Sequence, residues 1–165
     1  MKMGKIVYFY KKFYIILIIF TIDTLSKFFI IKYFKLYQYK KIFFIINIFY
    51  IRNYGLIFNI FNIQYKNYKY LFLILNIILI LYFIIQIIYN NSLGYKLILG
   101  GTISNIFDRL YHKYIIDFID INLNNYHIII FNFADLIILF GIIFILLNFK
   151  INHKKYKFST INTIL

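Results

Sequence analysis

The stretch "YLFLILNIILILYFIIQIIY", residues 70–89, contains no charged residue, no proline and no glycine. An α-helix needs about 20 predominantly apolar residues to cross the roughly 30 Å of hydrocarbon in a bilayer. The stretch has that length, and a helix is one of the few structures that satisfies all its backbone hydrogen bonds inside lipid. It therefore predicts a transmembrane helix, and with it an integral membrane protein.

The rest of the chain supports a membrane protein. Its 165 residues are 63% hydrophobic, with a mean hydropathy of +0.78, and its length suits a single domain. Three further apolar stretches predict spans at about 13–31, 96–110 and 133–149, followed by a polar C-terminal tail at 150–165. We predict an all-α membrane protein with four transmembrane helices, forming one integral membrane domain over residues 1–165.

The connection between the first two predicted spans differs from the rest. Residues 40–55, "KKIFFIINIFYIRNYG", alternate in part between apolar and polar side chains. That pattern is typical of short strands or of a segment lying on the membrane surface. We predict a small extracytoplasmic segment here, either β-rich or interfacial.

The net charge of +14 is explained by topology better than by nucleic-acid binding. Lysines cluster in residues 2–12, before the first span, and in residues 150–157, after the last. Cytoplasmic ends of membrane helices are enriched in this way, so four spans place both termini in the cytoplasm. No small-residue cleavage site follows the first apolar run, which indicates a retained span rather than a removed signal peptide.

The chain has five acidic residues, and all of them lie within or beside apolar segments. An ionisable group at membrane depth is costly, so each is a candidate functional residue. The competing interpretations are a buried ion pair and a helix cap. The five are Asp23, Asp108, Asp117, Asp120 and Asp135.

Two polar groups lie within the predicted helices. Asp23 and Lys27 are four residues apart, share one helix face and suit a structural ion pair. In "GGTISNIFDRL", residues 100–110, Asn105, Asp108 and Arg109 share a face, and Arg109 needs a carboxylate that Asp108 or another aspartate can supply. Gly100 and Ser104 in the same stretch give a small-residue surface for helix packing. A structural network and a role in holding substrate carbonyls both remain open for this group.

Asp117 and Asp135 flank a short polar turn, "NLNNYH", that folds the chain back at one membrane face. Two carboxylates close together in a low-dielectric site cannot both ionise easily, so one pKa rises and the other falls. An aspartyl hydrolase uses such a pair. The alternative is a capping box in which Asn132 is the N-cap of the fourth helix and Asp135 its third residue. Both interpretations stay open on spacing alone.

Five short blocks, taken in order, resemble the lipoprotein signal peptidase family of bacterial membranes, also called signal peptidase II. Four of the five aspartates, the only alanine and three of the six glycines fall in these blocks. The blocks are "DTLSK" (23–27), "NYGLIF" (53–58), "GGTISNIFDR" (100–109), "IIDF" (115–118) and "FNFAD" (131–135).

The resemblance implies an aspartic endopeptidase that removes the signal peptide from diacylglyceryl-modified prolipoproteins by Asp-activated water. Asp117 and Asp135 match the family's catalytic pair, and Asp120 matches no catalytic position. Asp23 and Lys27 match a block that we interpret as structural. The residues that match substrate-binding or orienting positions are Asn53, Gly55, Asn105, Asp108, Arg109 and Asn132.

The resemblance also implies no metal or organic cofactor, in keeping with three histidines that lack ligand spacing and with the absence of cysteine. The expected partners are diacylglyceryl prolipoproteins and membrane lipid, with no nucleic acid, for a monomer. The expected location is the bacterial cytoplasmic (inner) membrane, with the active site toward its outer face. Leu56 and Ile57 depart from the small residues that the family often has there.

A second class of function is a small proton- or cation-conducting membrane protein. Intramembrane Asp and Arg also mark ion pathways. A pathway needs polar residues at several depths, whereas here they gather near one face. The long second span offers only Asn76 and Gln86.

Overall fold

The structure, a computed structural model, describes residues 2–55, 66–123 and 126–162. Within these ranges the chain forms four α-helices and one four-stranded sheet. The elements are α1 (Lys2–Tyr33), β1 (Tyr39–Lys41), β2 (Ile46–Asn53), α2 (Lys66–Asn90), α3 (Leu93–Tyr111), β3 (Ile115–Leu123), β4 (Tyr126–Phe131) and α4 (Phe133–Asn162).

Each predicted span falls inside one of the four helices. In the part of the chain that the structure describes, two segments are long and apolar enough to cross a membrane: Phe13–Tyr33 of α1, with mean hydropathy 2.0, and Phe133–Lys150 of α4, with mean hydropathy 2.2. The described part of α2 contains a shorter apolar segment, Ile74–Asn90. Four membrane crossings therefore stay a prediction. Helix α4 extends beyond the fourth predicted span, through residue 150 to Asn162.

The sheet is antiparallel throughout, with strand order β1-β2-β3-β4. The prediction of a β-rich segment between the first two spans covers only half of the sheet. Strands β1 and β2 lie there, whereas β3 and β4 lie between α3 and α4. In the polar turn predicted at 122–127, Asn122 pairs with His127 and Leu123 with Tyr126 between β3 and β4, whereas residues 124 and 125 lie outside the described residues. Strand β3, "IIDFIDINL", is buried at most of its positions on both faces, and its polar residues Asp117, Asp120 and Asn122 do not follow a period of two along the whole strand. The sequence pattern of β3 is therefore a weak strand signal.

Helix α3 packs closely against α1 and α4 through small residues. A Cβ placed on Gly100 would lie 3.0 Å from side-chain atoms of Ile19 on α1. A Cβ on Gly101 would lie 2.7 Å from the carbonyl oxygen of Ala134 on α4. A contact of 2.7 Å is shorter than real Cβ atoms make, and one of 3.0 Å is shorter than most of their contacts, so glycine lets the backbones approach here as in other close helix pairs.

The sheet packs on the end of α1. Ile30 of α1 forms a buried cluster with Tyr50 of β2 and with Ile116 and Phe118 of β3. Burial of these large apolar side chains stabilises the contact between helix and sheet. It also fixes β3 beside the starting residues of α4, which follow β4 directly in the chain.

Candidate active site

Asp117 lies in the middle of β3 with only 1% of its surface exposed. Asn53 of β2 donates from Nδ2 to Asp117 Oδ2 at 2.8 Å, and Asn132 donates from Nδ2 to Asp117 Oδ1 at 2.7 Å. Burial and, next, the negative charge of Asp135 raise the pKa of Asp117 to about 7, although both asparagine hydrogen bonds act in the opposite direction. The carboxyl group is therefore divided between its protonated and ionised forms near neutral pH.

Asp135 lies in the first turn of α4, where the capping box predicted from the sequence is present. The Asp135 N–H donates to Asn132 Oδ1 at 3.0 Å, and the Asn132 N–H donates to Asp135 Oδ2 at 3.4 Å. Asn105 of α3 donates from Nδ2 to the other carboxylate oxygen, Asp135 Oδ1, at 2.8 Å. Asp135 is thus both a cap partner and a carboxylate held from a second helix.

The two interpretations of Asn132 are therefore compatible. Its side-chain oxygen caps α4 while its side-chain nitrogen binds Asp117. One side chain connects Asp117 with Asp135, although the two residues belong to different elements. A cavity of about 360 Å³ opens beside Asp117 between β2 and β4, lined by residues 51–53, Asp117 and residues 127–130.

A buried cation, Lys27, contacts the asparagine that binds Asp135. Lys27 of α1 is 1% exposed and forms ion pairs with Asp23 and with Asp108, the latter at 2.8 Å from Nζ to Oδ2. It also donates to Asn105 Oδ1 at 3.1 Å. The predicted Asp23–Lys27 pair is present, and Asp108, considered above as a carboxylate for Arg109, pairs with Lys27. Through Asn105, the lysine fixes the amide that binds Asp135.

Asp23 makes a contact that the sequence did not predict. Its Oδ1 accepts the backbone N–H of Ala134 at 2.8 Å, and its Oδ2 accepts the hydroxyl of Ser104 at 2.6 Å. The first N–H groups of a helix lack partners within the helix, and Asp23 satisfies one of them in α4. No sequence pattern indicates this bond, because the two residues are 111 positions apart.

Arg109 and Asn53 hold Gly55 from two sides. Arg109 donates from Nη2 to the carbonyl oxygen of Gly55 at 3.2 Å, and the Gly55 N–H donates to Asn53 Oδ1 at 2.9 Å. The backbone at Gly55 is therefore fixed next to the residue that binds Asp117. Leu56 and Ile57, which depart from the family pattern, lie outside the described residues.

Asp120 is buried on β3 but belongs to a different group. Its Oδ2 lies 2.8 Å from Nδ1 of His127 on β4. Its described contacts thus involve neither member of the Asp117–Asp135 pair. Among the residues that the structure describes, no group of three or more histidine, aspartate or glutamate side chains is arranged to hold a metal ion.

Residues 15–151, most of the chain, match the protein family described as "Signal peptidase (SPase) II". The chain belongs to the signal peptidase II family. The family resemblance predicted from the five sequence blocks is confirmed, and members of this family are proteases.

The similar curated proteins match over a limited region. "Lipoprotein signal peptidase" of Wigglesworthia glossinidia brevipalpis is 46% identical over 61 residues, which are 37% of this chain and 40% of that protein. "Lipoprotein signal peptidase" of Enterobacter sp. (strain 638) is 46% identical over 57 residues, or 34% of each protein. The chain thus matches less than half the length of these relatives.

Two solved structures of bacterial membrane enzymes share the fold of this signal peptidase II family member. The first, solved at 2.3 Å resolution, gives a TM-score of 0.76 and 24% identity, covering 86% of this chain and 88% of the other. The second, solved at 1.9 Å resolution, gives a TM-score of 0.70 and 25% identity, covering 82% and 89%. The arrangement of helices and sheet is therefore that of known membrane enzymes.

Proposed function

We propose that this protein is an aspartic endopeptidase of the bacterial cytoplasmic membrane that removes the signal peptide from diacylglyceryl-modified prolipoproteins. The observation that carries the proposal is the pair Asp117 and Asp135, joined by Asn132, with Asp117 lining a cavity. Membership of the signal peptidase II family supplies the substrate class.

The chemistry needs one ionised and one protonated carboxyl group. Asp135 takes a proton from water as the water oxygen attacks the scissile carbonyl carbon, while the protonated Asp117 donates its proton toward the carbonyl oxygen. Asp135 then gives this proton to the leaving nitrogen as the C–N bond breaks, while Asp117 takes a proton back from a hydroxyl of the gem-diol, so that both carboxyl groups return to their starting states. The raised pKa of Asp117, about 7, supports its assignment as the acid, because a useful fraction of the group is protonated at neutral pH.

The surrounding polar residues position these two groups. Asn53 and Asn132 each donate to one oxygen of Asp117, which fixes the plane of its carboxyl group. Asn105 does the same for Asp135. We assign Gly55 and Arg109 to orienting the substrate backbone, since the Gly55 N–H donates to Asn53, which binds Asp117, and Arg109 donates to the Gly55 carbonyl oxygen. Asp108 and Asp23 form ion pairs with Lys27, and Lys27 in turn holds Asn105, which binds Asp135.

We further propose that all four helices cross the membrane, with both termini in the cytoplasm and the site toward the outer face. The carboxylate pair lies by the end of α1 and the start of α4, whereas the lysine-rich segments 2–12 and 150–157 lie at the opposite ends of these helices. We propose a monomer that needs no metal or organic cofactor, because one chain supplies both carboxyl groups and every group that holds them.

The test is cleavage of a diacylglyceryl prolipoprotein by the purified protein in detergent. Asp117→Asn and Asp135→Asn should each abolish cleavage while the protein still inserts in membranes. Asp120→Asn is the matched control, because Asp120 is equally buried on the same strand and should be dispensable. Cleavage retained by either variant of the pair would contradict the proposal.

The alternative of a proton- or cation-conducting protein predicts polar groups along a path through the membrane. The described polar network instead joins Lys27, Asn105, Asp135 and Asp117 in one cluster by the sheet. The match to the signal peptidase II family gives this alternative no support.

A further inference from the structure

The turn between β1 and β2 exposes an unusual run of apolar side chains. Residues 42–46, "IFFII", which we call the hairpin tip, are all exposed, and Phe43 and Phe44 reach 72% and 83%. Single exposed apolar residues are common on proteins, but a contiguous apolar patch marks an interaction surface. The tip does not belong to the carboxylate site, so it needs another explanation.

The backbone of the hairpin tip is internally hydrogen-bonded. The Phe43 N–H donates to the carbonyl oxygen of Ile46 at 2.9 Å, which closes the turn. The carbonyl oxygen of Ile45 accepts the N–H of Asn122 at 2.9 Å, which ties the tip to β3. Because these polar groups already have partners, moving the tip from water toward lipid costs less than it would for an open loop.

The charge beside the hairpin tip favours an anionic surface. Lys40 and Lys41 directly precede the tip, and both are exposed. Residues 33–55, which include the whole hairpin, contain no acidic residue. Basic side chains next to bulky apolar ones are the combination found in segments that lie at the surface of anionic membranes.

The position of the hairpin also suits a membrane surface. The apolar segment of α1 that is long enough to cross a bilayer ends at Tyr33, and β1 begins at Tyr39. The sheet packs on this end of α1 through Ile30 and Tyr50, with Phe34 also in contact. The hairpin is therefore anchored to the end of a predicted span.

We propose that the hairpin tip inserts into the boundary between headgroups and acyl chains of a bilayer that contains anionic phospholipid, with Lys40 and Lys41 binding lipid phosphates. The proposal does not depend on the proposed peptidase reaction. Its consequence for that reaction is that the sheet carrying Asp117 is held at a fixed height above the bilayer, where a lipid-anchored substrate presents its peptide bond.

The test uses the fact that the chain contains no tryptophan. Phe44→Trp, or Phe43→Trp as a second variant, gives the full-length protein a single indole, and each is reconstituted into liposomes of phosphatidylglycerol and phosphatidylcholine. The emission should shift to shorter wavelength than that of N-acetyltryptophanamide in buffer. Brominated acyl chains should quench it, and aqueous acrylamide should quench it less than the free amide. Phe29→Trp, on the exposed surface of α1, is the reference for a residue in lipid.

The proposal is overturned if acrylamide quenches both hairpin tryptophans as strongly as the free amide and brominated lipid leaves them unchanged. A second arm of the experiment uses the Phe44→Trp protein to test the role of the positive charges of Lys40 and Lys41. Lys40→Gln combined with Lys41→Gln should reduce quenching by brominated lipid to the level seen in pure phosphatidylcholine, whereas Lys150→Gln should not. Equal quenching in both lipid compositions would overturn the role of anionic lipid.

Discussion

Asn132 binds Asp117 with one end of its side chain and caps helix α4 with the other. The distance from Asn132 Nδ2 to Asp117 Oδ1 is 2.7 Å, and the Asp135 N–H lies 3.0 Å from Asn132 Oδ1. The amide thus sets the start of the helix and the orientation of a carboxyl group on a neighbouring strand. A helix cap and the geometry of the carboxylate pair depend on the same residue.

Asn132→Ser should separate these two tasks. Serine caps helices about as well as asparagine, so the contribution of the cap to the free energy of unfolding should change by only roughly a few tenths of a kcal/mol. Serine has no amide to donate to the protonated Asp117, and loss of a hydrogen bond to a neutral group, about 0.5 to 1.5 kcal/mol, predicts cleavage slower by about two- to tenfold. Thermal unfolding in detergent and the cleavage rate are the two measurements.

Asn132→Ala is the companion variant. It removes both tasks, so it should lose activity as the serine variant does and be about 1 kcal/mol less stable than that variant. Wild-type activity in the serine variant would show that the hydrogen bond to Asp117 is not needed.

The rate of cleavage should fall as the pH rises through about 7. The pKa of Asp117 is raised to about 7, so the proton that the proposed acid donates is present below this pH and lost above it. The measured midpoint belongs to the coupled pair rather than to one residue. A pH–rate profile in detergent checks this, with Asp120→Asn as a control of unchanged profile. A rate that rises through the same range would mean that Asp117 works in its ionised form and that the two roles are reversed.

Asp135→Asn should lower the pKa of Asp117. Burial is the main cause of the raised pKa and would persist, but the negative charge of Asp135 is the second cause and would be gone. Carbon NMR of isotopically labelled aspartate measures the titration directly in the inactive variant. An unchanged or higher Asp117 pKa would contradict electrostatic coupling between the two carboxyl groups.

Lys27→Met should destabilise the protein strongly. Lys27 is the buried cation between Asp23 and Asp108, and removing one partner of a buried ion pair costs about 3 to 5 kcal/mol because the remaining charge is left unpaired. Unfolding by sodium dodecyl sulfate measures the loss. Adding Asp108→Asn should recover part of it, since one unpaired carboxylate is then neutral. A loss below about 1 kcal/mol in Lys27→Met would argue against this role.

Gly101→Ala should be more harmful than Gly100→Ala. At Gly101 the new methyl group meets the backbone oxygen of Ala134 at 2.7 Å, whereas at Gly100 it meets the side chain of Ile19 at 3.0 Å. A side chain can adjust, but the backbone contact moves α3 away from α4, at a typical overpacking cost of about 1 to 3 kcal/mol. Since Ala134 precedes Asp135, cleavage should slow as well. The free energy of unfolding and the cleavage rate are measured for both variants. Equal losses in Gly101→Ala and Gly100→Ala would contradict the expectation that the backbone contact is the more harmful one.

The features predicted correctly from the sequence are local ones. The Asp23–Lys27 pair depends on four-residue spacing in a helix, and the capping box of Asn132 and Asp135 on three-residue spacing at a helix start. Both follow from helical geometry alone, so no knowledge of the fold is needed. The positions of the four helices followed from the length of the apolar runs.

The features that the sequence did not predict are of two kinds. Some depend on tertiary contacts, and others lie in stretches whose composition does not distinguish a strand from a helix. The bond from Arg109 to the Gly55 carbonyl joins residues 54 positions apart, and sequence spacing carries no information on such a contact. Strands β3 and β4 were missed because isoleucine-rich runs such as "YHIIIF" suit a strand and a buried helix equally well. The family blocks indicated which residues belong to the site, but not that Asn132 connects two of them.

The hydrogen bond between Asp23 and Ala134 has a consequence for the biosynthesis of the protein. Asp23 is synthesised 111 residues before its partner, Ala134. Helices α2 and α3 and the strands of the sheet are therefore synthesised before this hydrogen bond can form. Helix α4 brings both Asp135 and the N–H that Asp23 accepts. A nascent chain that ends before α4 therefore lacks one member of the carboxylate pair, and under the proposed mechanism it cannot cleave a substrate.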